Sequence, residues 1–158
     1  RDNLVLWHVF NEYMAPTGEC YCDESVRHFR RWLRARYSNL DELNDAWGTT
    51  FWGQRYSDWE EIDAPRTSPS VVNPAQRLDF ARFTNDAWLE CFRRERDAIR
   101  EHCPDVPITT NFQDTRSKGL NQWAWAAEVT PEQGAARIRE AIARADAATT
   151  NDAEEASA

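Results

Sequence analysis

The run Leu4-Val5-Leu6-Trp7-His8-Val9-Phe10 constrains this chain more than any other stretch. An apolar segment of about seven residues with β-branched and aromatic members reads as a strand covered on both faces. Such strands belong to parallel sheets, where each neighbour is reached through a long crossover. The run ends in Asn11-Glu12-Tyr13. A buried, unpaired carboxylate costs several kcal/mol, so folding alone explains Glu12 poorly. The C-terminal end of a strand in an α/β barrel is where catalytic groups sit, which makes Glu12 the leading candidate. As a bare dipeptide, Asn-Glu at a strand end also reads as a turn start or a solvated edge.

The rest of the chain supplies the crossover. Ala15 to Cys22 reads as a loop with Pro16 and Gly18 as breakers. A helix is predicted after Asp23, read as its N-cap, to about Tyr37, with Val26, Phe29, Leu33 and Tyr37 as the apolar stripe. A second, short helix follows Asn39, with Glu42 placed as in a capping box, and stops at Gly48. Residues 49–73 show little periodicity and read as a long, ordered, aromatic-rich excursion, a kind of loop that is usually functional. Asn73-Pro74 then starts a helix expected to reach about His102. Its predicted buried side carries Phe80, Phe83, Ala87 and Cys91, with Trp88, Phe92 and Ile99 close by. Pro104 ends it, and Val106 to Phe112 reads as the next strand. Strand, excursion, long helix and strand make one crossover unit of a parallel sheet.

Size and charge narrow the possibilities. The chain has 158 residues, whereas a complete eight-stranded α/β barrel takes about 250. It carries no recognisable targeting segment and no membrane-length apolar run, and it is expected to be a piece of a longer enzyme. A net charge of −8 argues against nucleic acid and anionic membrane as partners. The exception, Arg27, Arg30, Arg31, Arg34 and Arg36, reads as the solvated face of the first helix. Four cysteines in no evident disulfide framework suggest a reducing, cytoplasmic setting. Eight tryptophans exceed normal usage, and most are expected to pack, with one or two free to face a sugar.

Several motifs occur in one order: Asn11-Glu12-Tyr13, Cys20-Tyr21-Cys22-Asp23, Phe29-Arg30-Arg31-Trp32-Leu33, Leu43-Asn44-Asp45-Ala46-Trp47-Gly48-Thr49, Phe51-Trp52-Gly53-Gln54-Arg55-Tyr56-Ser57-Asp58-Trp59, Asn73-Pro74-Ala75-Gln76 and Thr109-Thr110-Asn111-Phe112. Over about Leu4 to Val129 the chain thereby resembles the glycoside hydrolase family 42 β-galactosidases. The resemblance implies an α/β fold: an incomplete (β/α)8 TIM barrel, mostly helical, with about two parallel strands, the barrel's fourth and fifth. Residues 1–129 would be the partial catalytic domain. Residues 130–158 would form a divergent Ala-rich tail, helical around Ile138 and Ile142 and then disordered.

The resemblance also implies a chemistry, the retaining hydrolysis of terminal non-reducing β-D-galactose residues from β-galactosides. Glu12 would be the general acid/base, with a raised pKa favoured by its apolar setting. Asn11 would hydrogen-bond the sugar near its 2-hydroxyl, and Trp52 would be a hydrophobic wall or, equally, ordinary packing. The nucleophile would lie beyond the matched stretch. Asp58, Glu60, Glu61 and Asp63 read instead as solvated or paired with Arg55 and Arg66. Cys20 and Cys22 correspond to a family zinc site that is incomplete here, since Ser25 stands in the third position. No cofactor is required. The partner set implied is a β-galactoside substrate and, for the full-length parent, a homo-oligomer such as a trimer. A non-catalytic truncated product that at most binds galactosides is the alternative. A zinc or nucleic-acid module built on the cysteines and arginines fits the composition worst.

Overall fold

The computed structural model describes residues 4–15, 18–68, 71–112, 120–129 and 135–144, apart from the Trp52 side chain. The elements in order are β1 (Trp7–His8), α1 (Asp23–Arg36), α2 (Leu40–Trp47), two 3₁₀ turns (Phe51–Gly53 and Trp59–Glu61), α3 (Pro74–Arg100), β2 (Ile108–Thr109) and α4 (Gln122–Ala126). The strands pair in parallel, Trp7 opposite Ile108 and His8 opposite Thr109. The predicted crossover is therefore present, and the fold class is α/β, mostly helical with two parallel strands. Residues 135–144 are helical, but Ile138 and Ile142 are exposed. The end of the tail read as disordered lies outside the described residues.

The chain divides into two compact units. One comprises Arg1–Tyr13, Leu89–Gln113 and Gln122–Ala158, and the other Met14–Trp88 and Asp114–Asn121. The second holds the larger helical core. Val26, Phe29 and Leu33 of α1 pack with Leu43 and Trp47 of α2, Ile62 and Ala64 of the excursion, and Phe80 and Phe83 of α3. Phe29 sits at the centre, fully buried, edge-on to Phe80 at 5.1 Å and stacked on Trp47 at 6.5 Å. Each such side chain contributes about 1.5–3 kcal/mol through burial.

Local chemistry sets the helix ends, with corrections to the sequence reading. Cys22, not Asp23, occupies the cap of α1, and no side chain caps it; Asp23 is the first helical residue, placed with Glu24 at the positive end of the helix dipole. Asn39 Oδ1 accepts from Glu42 N at 2.9 Å, as a cap should, while Glu42 Oε2 accepts from Ser38 N rather than closing a box on Asn39. Gly48 ends α2 at φ 61°, a left-handed conformation that a Cβ would strain. Asn73 Oδ1 accepts from Ala75 N at 2.9 Å at the start of α3.

The excursion is ordered through its charges. Arg30, expected on a solvated face, instead donates to Ile62 O and to Glu60 O, each at 2.6 Å. Glu60 bonds both Arg30 and Arg34, and Asp58 and Glu61 form a capping box on the second 3₁₀ turn. Arg66 does pair with Asp63, but Arg55 pairs with Asp41 rather than with the excursion's acids. All four acids of the excursion thus have structural roles.

The strands are shorter than the apolar runs suggest. Of residues 7–10 only Val9 is buried, while Trp7, His8 and Phe10 are exposed. A two-stranded pair covers few side-chain faces. On α3, Ala87 is exposed, and the buried stripe runs instead through Gln76, Asp79, Phe80, Phe83, Thr84 and Asn85. Asp79, 1% exposed, accepts from Tyr37 Oη at 2.6 Å, Trp47 Nε1 at 2.9 Å and Arg82 Nη1 at 2.9 Å. Burial, reinforced by the bond to Asp79, raises the pKa of Tyr37 and keeps the phenol a donor.

Replacing Asp79 with alanine strands the Trp47 and Tyr37 donors in the core. Urea unfolding of this chain should show Asp79→Ala destabilised by about 3 kcal/mol, the cost of breaking one side of a buried charged pair. A loss no larger than that of an exposed control such as Asp41→Ala would contradict this role.

Candidate active site

The parallel register of β1 and β2 brings two strand ends together. Beyond His8 the ladder continues for one bond, Val9 N to Thr109 O at 2.8 Å, and then the first strand turns. Phe10, Glu12 and Met14 have φ of 56°, 55° and 71°. For residues with a Cβ this left-handed region costs about 1–2 kcal/mol each, and such conformations cluster where function demands them. The turn at Glu12 is held by a long-range bond: its backbone N–H donates to Asn111 Oδ1 at 3.0 Å. Glu12 is half-buried, and its carboxylate enters no ion pair or hydrogen bond among the described residues. Asn11 beside it is exposed.

Tyr13 anchors the other side of Glu12. It is 1% exposed, its hydroxyl donates to the Glu95 carboxylate, and its ring contacts Phe92 at 6.0 Å and Trp125 at 5.1 Å. Burial first, and then the bond to Glu95, push this phenol far above its ordinary range, so it remains a donor. Burial also raises the Cys91 thiol, with the Glu95 charge adding to the effect. Trp125 also meets Phe92 at 5.5 Å and Phe112 at 5.1 Å, and Glu128, just past α4, accepts from Arg93 Nη2 at 2.6 Å and from Arg96. The Arg93 bond leads in holding the Glu128 carboxyl below the usual range.

On the neighbouring strand end, Thr110 Oγ1 is a buried hydroxyl with no hydrogen-bond partner among the described residues. Orphaned buried polar atoms are rare in folded proteins. A carboxyl group presented from the strained turn after β1, with its backbone bonded to Asn111, suits proton transfer to a polar substrate.

The remaining predicted residues belong to the other unit. Trp52 lies in the first 3₁₀ turn, and its side chain falls outside the description. Cys20 and Cys22 are exposed, with their sulfurs 3.2 Å apart. Glu24, a conceivable neighbour for a metal, is taken by Arg27 and His28. Two thiols fall short of a tetrahedral zinc set, and no group of three His, Cys, Asp or Glu side chains among the described residues could hold a metal ion. The residues present therefore do not fit the family's zinc site.

The apolar run places Glu12 at a strand end but gives no role to Asn111, Glu95 or Trp125. The Thr109-Thr110-Asn111-Phe112 motif is the available signal for Asn111: a polar residue ending an apolar strand, as Asn11 does.

A family model described as β-galactosidase, glycoside hydrolase family 42, matches residues 1–133. The β-galactosidase bgaB of Geobacillus kaustophilus is 48% identical over 126 residues, covering 80% of this chain and 19% of that protein. The β-galactosidase LacZ of Heyndrickxia coagulans is 42% identical over the same coverage. Among solved structures, the β-galactosidase of the Antarctic haloarchaeon Halorubrum lacusprofundi superposes with a TM-score of 0.75 at 38% identity, over 79% of this chain and 19% of that one. That of Bacillus circulans sp. alkalophilus gives 0.71 at 43% identity, again over 79% and 19%. The chain thus spans about a fifth of the length of the relatives it matches.

The Cys22 thiol is brought down to about 7, chiefly by the Ser25 backbone N–H and then by the Cys20 thiol. Its alkylation by iodoacetamide, followed by peptide mass spectrometry, should rise through a midpoint near pH 7 and outpace that of Cys91. Equal rates for the two cysteines at neutral pH would contradict the assignment.

Proposed function

Because this chain belongs to the glycoside hydrolase family 42 β-galactosidases and carries one strand–helix–strand unit of their (β/α)8 barrel, we propose that it supplies the acid/base half of a retaining β-galactosidase site. The observation that carries this reading is Glu12: a free carboxylate on a strained strand end, pinned through its own backbone. Glu12 as the acid protonates the glycosidic oxygen, which leaves with the aglycone as the terminal β-D-galactosyl unit passes to the nucleophile. The same residue, now a base, then takes a proton from the water that releases the sugar. Asn11, exposed next to it, would hydrogen-bond the sugar.

Retention needs a second carboxyl about 5–5.5 Å away to attack the anomeric carbon. Asp58, Glu60, Glu61 and Asp63 are committed to caps and ion pairs, and none is nominated. The nucleophile is assigned to sequence outside this segment.

The test exchanges residues 4–129 of this chain for the matching segment of the complete Geobacillus kaustophilus enzyme. The exchanged protein should hydrolyse β-galactosides. Glu12→Gln should lower kcat/KM for lactose by at least about a hundredfold, in line with the loss of general acid–base catalysis. Glu12→Gly should regain turnover of an activated aryl galactoside with azide, yielding the β-galactosyl azide. A folded exchange protein without activity, or an active Glu12→Gln variant, would defeat the proposal.

A further inference from the structure

We infer that Asn111 is a positioning residue for Glu12, holding the backbone from which the catalytic carboxyl is presented. The inference rests on the acid/base reading of Glu12. The contact spans 99 residues in sequence, so it is no local turn bond. It joins the ends of two parallel strands whose register is already set at Trp7 with Ile108 and His8 with Thr109. Register alone would continue the pairing with extended backbone. Instead the chain adopts positive φ at Phe10, Glu12 and Met14, and Asn111 Oδ1 meets the N–H of Glu12.

A strained conformation persists only where its surroundings over-determine it. Here two contacts do so on either side of one side chain. Asn111 pins the amide that precedes the Glu12 Cα, and the residue that follows, Tyr13, is locked by burial, by Glu95 and by Trp125. Between these anchors the Glu12 carboxyl alone remains uncommitted. Proton transfer depends steeply on such placement, since a displacement of about 1 Å costs about a hundredfold in rate. Asparagine suits the place because its carbonyl accepts the N–H without a charge that would perturb Glu12.

The test uses the same exchanged enzyme and compares two substrates by kcat/KM, which reports the step that expels the leaving group. Lactose needs its leaving oxygen protonated, whereas 2,4-dinitrophenyl β-galactoside does not. Asn111→Leu should lower kcat/KM for lactose by about ten- to a hundredfold and for the dinitrophenyl substrate by no more than about threefold. Asn111→Asp keeps an acceptor oxygen and should recover most of the lactose activity. Its charge beside Glu12 favours the protonated acid, so the alkaline limb of its pH profile should move upward. Equal losses on both substrates, or Asn111→Asp as impaired as Asn111→Leu, would mean that Asn111 serves the fold alone. An unimpaired Glu12→Gln variant would instead remove the acid/base reading itself, independently of any Asn111 result.

Discussion

The carboxylate of Asp79 is the interaction on which the larger helical unit depends. It lies on α3 within an apolar core, and it gathers the residue that follows α1, Tyr37, and the residue that ends α2, Trp47. A buried carboxylate is costly unless its lone pairs are satisfied, and here two aromatic donors and Arg82 satisfy them. Hydrophobic contact among Phe29, Leu43, Phe80 and Phe83 brings the three helices together without specifying their angular phase. A hydrogen bond is directional and supplies that phase, since Trp47 Nε1 reaches Asp79 only in one rotation of α2 against α3. The excursion is organised in the same way. Arg30 carries its charge into the edge of the core and caps the carbonyls of Glu60 and Ile62.

The candidate site rests on the opposite arrangement, a strained segment held between fixed points. Three left-handed residues within five positions raise the energy of the chain between β1 and the loop that follows. Tyr13, buried and bonded to Glu95, and Asn111, just past β2, hold that segment from two sides. The group left without a partner is the carboxylate to which the proposed chemistry falls. Strain placed at a reactive group and offset by surrounding packing is how folds present side chains in positions that relaxed backbone would not reach.

Much of the organisation is legible in the amino-acid sequence. Asn39, Gly48 and Asn73-Pro74 mark helix ends through chemistry that acts over two to four residues, and the helices begin and stop there. The crossover is legible from the order of apolar runs. Periodicity misplaces Ala87 because it counts apolar residues, and the buried side of α3 carries Asp79, Thr84 and Asn85 instead. Polar residues enter a core when partners elsewhere satisfy them, and those of Asp79 include residues 32 and 42 positions away. The same reason accounts for Arg30: spacing places it on the outer face of α1, and only the return of the excursion converts it into a half-buried donor.

The sequence by itself determined the main helices and where they begin and stop, the presence of two parallel strands, the family and the position of Glu12 just beyond the first strand. Those features arise from periodicity, capping and motif order, all of which act along the chain. Tertiary structure alone decided that Asn111 holds Glu12 and that Tyr13 is anchored by Glu95. Each of those outcomes depends on which strand ends and helix faces meet in space. A hydrogen bond between residues 99 apart leaves no local pattern from which it could be read.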